Sequence, residues 1–435
     1  MPSPDLTAPL RRPLFRRLAT TYAINELGDW MGLIALSVLV YDETGSALAT
    51  AALFIGTGFL PALLAPALVA RIEIPSPRYA LPLLYCAEAA AFGALAWLSL
   101  NFSLAGVVVV AAIDGALMLA ARSLTRAVAA SLLEPAGELR AGNAILNIAF
   151  TGGAALGPAF AGLVVAGFGV PTALLLDAVS FYAIAWILFT AGEMPRAEPE
   201  PGRMRERVRA GLAYIREKPT LRRLLLAQGA AFIFFSAVIP VEVVFAKETL
   251  GAGDSGYGLM LASWGGGMVL GSIVFAAIRK ASLAYLLLFS TLAVGAGYLG
   301  MAAAPTLAVA CAASAVGGAG NGVQWVAAVS AVQELTVPGM QARVMSVLES
   351  IGSATPGIGF AVGGVIAAFV DPRATFLVAG IGVFAIVAIA IPALGRNWAA
   401  PLKNSDSFLL DGGNAVVLEL IPGGSPIHED REARL

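Results

Sequence analysis

LATTYAINELGDWMGLIALSVLVY, residues 18–41, is the stretch whose reading decides the fold. It is long enough for one helical crossing of a roughly 30 Å hydrocarbon layer. It also carries Asn25, Glu26 and Asp29 near its middle, and acids inside lipid need an explanation. Working outward, eleven more apolar stretches of similar length follow, near 47–70, 79–100, 104–127, 143–167, 172–191, 221–244, 257–278, 283–302, 306–332, 343–370 and 374–394. The expectation is an all-α integral membrane protein with twelve transmembrane helices.

The basic residues sort onto one side of that topology. Arg11, Arg12, Arg16 and Arg17 precede the first stretch, and Arg71 and Arg78 lie between the second and third. Arg122, Arg126 and Arg140 surround the end of the fourth, and a run of arginines fills 196–223. Arg279, Lys280, Arg343, Arg396 and Lys403 continue the pattern, with Lys247 and Arg373 outside it. By the positive-inside rule both termini are expected in the cytoplasm. Arginine in excess of lysine and abundant alanine suggest a GC-rich bacterium, so the expected location is a bacterial plasma (cytoplasmic) membrane, crossed many times.

Composition agrees with lipid as the solvent. Hydrophobic residues make up 58% and charged residues 13% of the chain, where soluble domains carry about 25% charge. The formal net charge of -1 gives no reason to expect a nucleic-acid partner. Cys86 and Cys311 stand alone in separate stretches and read as packing residues. His428 is the only histidine and falls in the polar tail, so no His-based catalytic centre, metal site or cofactor is expected in the membrane. The apolar run after the N-terminal arginines lacks a small-residue cleavage site and reads as a retained helix.

Residues 192–220 divide the chain. The expected domains are 1–191, a linker at 192–220, 221–394, and a cytoplasmic tail at 395–435. The linker opens on Pro195, Pro199, Pro201 and Gly202. It then runs RMRERVRAGLAYIREK, with Val208, Leu212 and Ile215 on one helical face, suited to an anionic leaflet. The tail reads as largely disordered, with VVLELI as a candidate strand. Short matches relate the two halves: FRRL at 15–18 with LRRL at 221–224, and Glu43-Thr44 with Glu248-Thr249. GGAALGPAFAGLV and GSATPGIGFAVGGV also match, with Gly162 set against Gly363.

With these features the chain resembles the major facilitator superfamily. Gly153, Gly157, Pro158 and Gly162 match the superfamily's antiporter motif. NELGDWMGLIALSVLVYDETGS (25–46), ELRAGNAILNIAFTGGAALGPAFAG (138–162) and YIREKPTLRRLL (214–225) resemble the branch of macrolide-efflux proteins and the enterobactin exporter. The resemblance implies two six-helix, pseudo-symmetric bundles that alternate access, with spans 1, 4, 7 and 10 around a central cavity. One segment departs from the pattern. VARIEIPSPRYA carries Ala70 where the superfamily's loop has an Asp, and retains only Arg71 and Arg78.

Several residues could carry the chemistry. A charge at the centre of a membrane helix costs at least ~2.5 kcal/mol. Glu26 and Asp29 are neighbours at i and i+3, and two ionised carboxylates that close repel. They are therefore expected either to handle protons or a cationic substrate, or to be held by hydrogen bonds or a fixed arginine. Tyr22 and Ser37 extend their stripe. Asp114 sits mid-span, with Met118, Arg122 and Arg126 following at four-residue steps; Arg126 is expected to snorkel to the headgroups. Gln228, Phe232, Phe235 and Glu242 align on span seven, and span ten offers Asn321, Gln324 and Trp325. Asn25, Phe232, Phe235, Asn321, Gln324 and Trp325 form the expected substrate surface for an amphipathic ligand. Glu349 with Ser346, Ser350 and Ser353 is a further candidate, while Glu88 and Asp177 suit structural hydrogen bonds.

The leading expectation is a monomeric secondary transporter, in contact with lipids, that exports a hydrophobic or amphipathic small molecule against protons. An importer or lipid flippase on the same scaffold, or a transport-dead receptor, are the alternatives. No nucleophile-base set points to an enzyme.

Overall fold

The computed structural model describes residues 7–61, 76–195, 204–278, 282–337 and 340–394, together with most side chains in them. The loop residues Ala70 and Arg71, the basic pair Arg279 and Lys280, and the tail 395–435 lie outside the described residues. So do the side chains of Arg140, Val208, Ser346 and Glu349.

The described chain is helical. α1 (Pro13–Thr44) begins with proline at its first position, where a missing N–H costs nothing. It ends at Gly45, whose φ of 57° is left-handed and lets its N–H bond the Tyr41 carbonyl. Ser46 then caps α2 (Ala47–Phe54) by accepting from the Ala49 N–H, so two residues reverse the chain. α2 continues as a π-helical turn through Phe59. α3 (Pro77–Leu100), α4 (Leu104–Leu133), α5 (Leu139–Phe168) and α6 (Val170–Phe189) complete the first half.

The second half opens with the linker helix α7 (Met204–Glu217) and α8 (Pro219–Val238). A turn at Pro240 carries α8 on to Thr249 as one apolar segment. α9 (Gly253–Ala277), α10 (Leu283–Ala303), α11 (Leu307–Glu334), α12 (Gln341–Phe369) and α13 (Pro372–Leu394) follow.

Ten helices among the described residues are long and apolar enough to span a membrane. The other two expected spans are α2, which runs toward residues outside the described set, and α11. The latter has the length, but its glycines, Asn321 and Gln324 dilute its hydropathy. Large apolar side chains such as Leu163, Phe168, Trp186 and Ile389 face outward, which only a lipid solvent tolerates at this density.

Close helix contacts rest on glycine. Methyl groups added at Gly153 and Gly157 of α5 would stand 2.8 Å from Glu26 Cβ and 2.6 Å from Trp30 Cβ of α1. In α12, Gly359 lies tighter still on Ser236 and Ile233 of α8, and Gly363 on Ala237. By their contacts the equivalent glycines are Gly157 with Gly359, each set on a side chain of the first spanning helix of its half and on the carbonyl three residues before it (Trp30 and Leu27, Ser236 and Ile233). Gly162 is likewise equivalent to Gly364, each crossing to the other half, with a methyl at Gly162 3.0 Å from Gly258 Cα of α9 and one at Gly364 2.6 Å from Ala51 Cβ of α2. The expected match of Gly162 with Gly363 lies one residue from this register. In such a glycine-rich run several registers score alike, and packing chooses among them.

The linker helix α7 rests on protein. Ile215 is buried among Leu221, Leu224, Val344 and Leu348. Gly211 abuts the Arg343 backbone, and the Tyr214 hydroxyl accepts from the Val337 N–H. Leu212, expected on the same apolar face, points outward.

Candidate transport site

The two halves of the chain meet along α5–α9 and α2–α12, and between these seams lies a cavity of about 570 Å³. It closes where α1 ends. There Gly162 packs on Gly258, Ala51 stands against Gly364, and the Phe54 and Phe360 rings lie 5.6 Å apart. Lys247, one of the two bases outside the charge pattern, pairs across the halves with Asp42 and at 2.6 Å with Asp254. The other, Arg373, donates to the Ala302 carbonyl at 2.7 Å and covers the Phe245 ring.

On the first-half wall, α1 presents Glu26 and Asp29 to α4. Arg122 reaches between them, donating from Nη2 to Glu26 Oε2 at 3.0 Å and Asp29 Oδ2 at 3.1 Å. Asn25 Nδ2 donates to the same Asp29 oxygen at 2.8 Å. The Glu26 side chain is fully buried and that of Asp29 is 12% exposed. Arg126 is exposed, and its Nη2 donates to the Tyr22 hydroxyl at 3.2 Å. The network is incomplete, since Glu26 Oε1, Asn25 Oδ1, Arg122 Nε and Asp114 Oδ1 are buried without hydrogen-bond partners among the described residues. Buried carboxylates this close are tolerable only because one guanidinium serves both. An arrangement with spare acceptors can take up a proton and let the arginine shift from one acid to the other.

Behind this wall, Asp177 of α6 is wedged against Gly32 of α1 and accepts from Ser180 at 3.3 Å. Glu88 of α3 is fully buried, and neither of its oxygens meets a donor among the described residues. Ser180 meets one oxygen of Asp177, while Asp177 Oδ2, like both Glu88 oxygens, has no hydrogen-bond partner among the described residues.

The second-half wall is made differently. Phe232, Phe235 and Glu242 from the α8 segment, Trp264 from α9, Tyr298 from α10 and Asn321 from α11 line it. Trp264 and Tyr298 stack at 5.4 Å, with Phe235 6.3 Å from Tyr298. Gln324 and Trp325 stand off the wall. Gln324 Nε2 donates to Gln228 Oε1 at 2.7 Å within the protein, and Trp325 packs on Phe232 at 6.1 Å. Asn25 likewise supports Asp29 from behind rather than facing the cavity. Trp30, Phe92, Trp264, Tyr298 and Phe360 were absent from the sequence-based set. Trp30 alone had a signal, as the neighbour of Asp29; single aromatics in apolar helices carry no mark of which face they occupy.

No curated protein matches the chain in sequence. Solved structures match it in fold. A bacterial homologue of the iron transporter ferroportin, in an inward-facing state, superposes with a TM-score of 0.70 at 14% identity, over 88% of this chain and 99% of that one. The nucleoside transporter NupG gives 0.69 at 14% identity, over 88% and 99%. A POT family transporter in complex with a thioalcohol-conjugated peptide gives 0.69 at 14%, over 88% and 96%. At these identities the likeness establishes the transporter fold alone. The family described as transmembrane secretion effector matches residues 5–357, most of the chain. On that match and that fold, the chain belongs to the transmembrane secretion effector family, and is a multi-pass membrane transporter with the fold of the major facilitator superfamily.

Proposed function

We propose that the protein is a proton-coupled exporter of hydrophobic or amphipathic small molecules, working by alternating access. The observation that carries this reading is Arg122 held between Glu26 and Asp29 on the wall of a cavity that is closed at one end. Three charged groups in lipid are costly unless they work. A proton arriving at Asp29, the more exposed acid, removes half of Arg122's partnership and leaves the guanidinium to Glu26. That is a local change in charge able to bias two arrangements of the halves. The aromatic wall opposite offers apolar area for an amphipathic ligand. The family's description as secretion effectors supports outward movement.

In this reading twelve helices form two pseudo-symmetric bundles of six, at 1–191 and 221–394, with both termini in the bacterial cytoplasm. Lys247, Asp42 and Asp254 then latch the outer end, and the drawn conformation faces inward. The transporter acts as a monomer without a cofactor. Its test is a pH-jump assay in proteoliposomes loaded with a pH-sensitive dye. Substrate efflux with proton counterflow is the expected result. Substrate uptake along with protons would make it an importer, and ligand binding without flux would make it a receptor.

A further inference from the structure

Among the described residues, four carboxyl groups line the cavity, Glu26, Asp29, Asp114 and Glu242, and Arg122 is the one base there. Arg122 is committed to Glu26 and Asp29. Glu242 stands apart from that network. It comes from the second half, where Pro240 interrupts the helix and re-aims the backbone. It is 6% exposed, and among the described residues no hydrogen-bond donor or base reaches its carboxylate. Lys247, the nearest base in sequence, is taken by Asp42 and Asp254. Tyr298 lies within electrostatic reach of Glu242 and is stacked on Trp264. A buried acid without a partner, facing a cavity of ring faces, has every feature of a site whose positive charge arrives with the ligand.

We propose that Glu242 is the counter-charge for a lipophilic organic cation, a protonated amine or an onium ion, whose apolar body lies on Trp264, Tyr298 and Phe235. The proposal rests on the transport reading above and names its substrate class. An anion would meet a surplus of carboxylates, and a neutral amphiphile would leave Glu242 as unpaired as it is now. A small hard cation asks for six or more oxygens, and the hydroxyls of Tyr298 and Tyr257 near Glu242 fall far short of that. A cation carrying rings or chains of its own satisfies both the charge and the ring faces. The cavity volume of about 570 Å³ suits a drug-sized molecule.

The test uses the purified full-length protein and two probes of similar shape, tetraphenylphosphonium and neutral triphenylphosphine oxide, with binding measured by titration calorimetry. The wild type should prefer the cation. Glu242→Gln should weaken cation binding at least about tenfold while moving the neutral probe by less than about twofold. Glu242→Asp, which keeps the charge, should recover most of the loss, and the neutral probe reports whether each variant is folded. Equal affinity of the wild type for the two probes, or an unchanged cation affinity in Glu242→Gln, would overturn the proposal. The transport reading fails separately. If vesicles move the neutral probe with proton counterflow but ignore the cation, export stands and the cation site falls. If the cation binds through Glu242 and crosses without proton movement, the site stands and the coupling falls.

Discussion

The two walls of the cavity solve the problem of polarity in lipid in opposite ways. The first-half wall concentrates charge: Glu26, Asp29 and Arg122 share one network, with Asp114 close by. The second-half wall disperses it, with a neutral amide pair inside the protein (Gln228 and Gln324), stacked aromatics, and one solitary acid. A network of charges with unfilled acceptors can change state when a proton arrives. A wall of rings and neutral amides holds its shape and offers area. The division teaches that coupling and binding can sit on different halves of a duplicated fold, joined only by the motion of one half against the other.

The largest effect should come from removing the shared base. Arg122→Met leaves Glu26 buried without its counter-charge, a loss of about 3–5 kcal/mol in comparable buried pairs. The variant should melt well below wild type in a thermal-stability assay. Adding Glu26→Gln and Asp29→Asn to it should restore much of the melting temperature. Unchanged melting of Arg122→Met would mean that the charged wall is not a network at all.

Packing comes next. Gly157→Leu must push α5 off Trp30 of α1, because even a methyl has no room there. Transport should be abolished while membrane insertion, judged by expression and gel filtration, stays near normal. Wild-type flux from this variant would show that the contact between α1 and α5 opens freely.

A smaller effect should follow on the dispersed wall. Gln324→Leu breaks the 2.7 Å bond to Gln228, whose Nε2 already has no partner among the described residues. It should cost about 1–3 kcal/mol of stability and leave the number of protons moved per substrate unchanged. A changed stoichiometry would erase the distinction between the walls.

How far could this be seen in the sequence? The acidic stripe of α1 was legible, because i, i+3 spacing fixes Glu26 and Asp29 on one helical face whatever surrounds them. So was the run of apolar stretches. The partner of those acids was not. A position on α4 fixes where Arg122 starts, and its long side chain then reaches whichever charge the neighbouring helix offers. The bond from Arg126 to Tyr22 was out of reach of the sequence for the same reason. Gln324 and Trp325 looked like binding residues because polar and aromatic groups in lipid attract attention. Tertiary contacts with Gln228 and Phe232 account for them instead. The glycine register was legible to within one residue: Gly162 was set against Gly363, and the contacts each half makes with the other equate it with Gly364.

The central claim is that the charged wall carries the proton. Asp29→Asn keeps the shape of the side chain and its place beside Asn25 and Arg122, but removes the titratable group. Proteoliposomes with an imposed pH gradient and a dye-reported interior measure the consequence directly. Asp29→Asn should bind ligand with wild-type affinity and lose gradient-driven flux, whereas Glu26→Gln should do less damage and mainly move the pH optimum. If Asp29→Asn still concentrates substrate against its gradient, the proton travels elsewhere, and Asp114 becomes the residue to test.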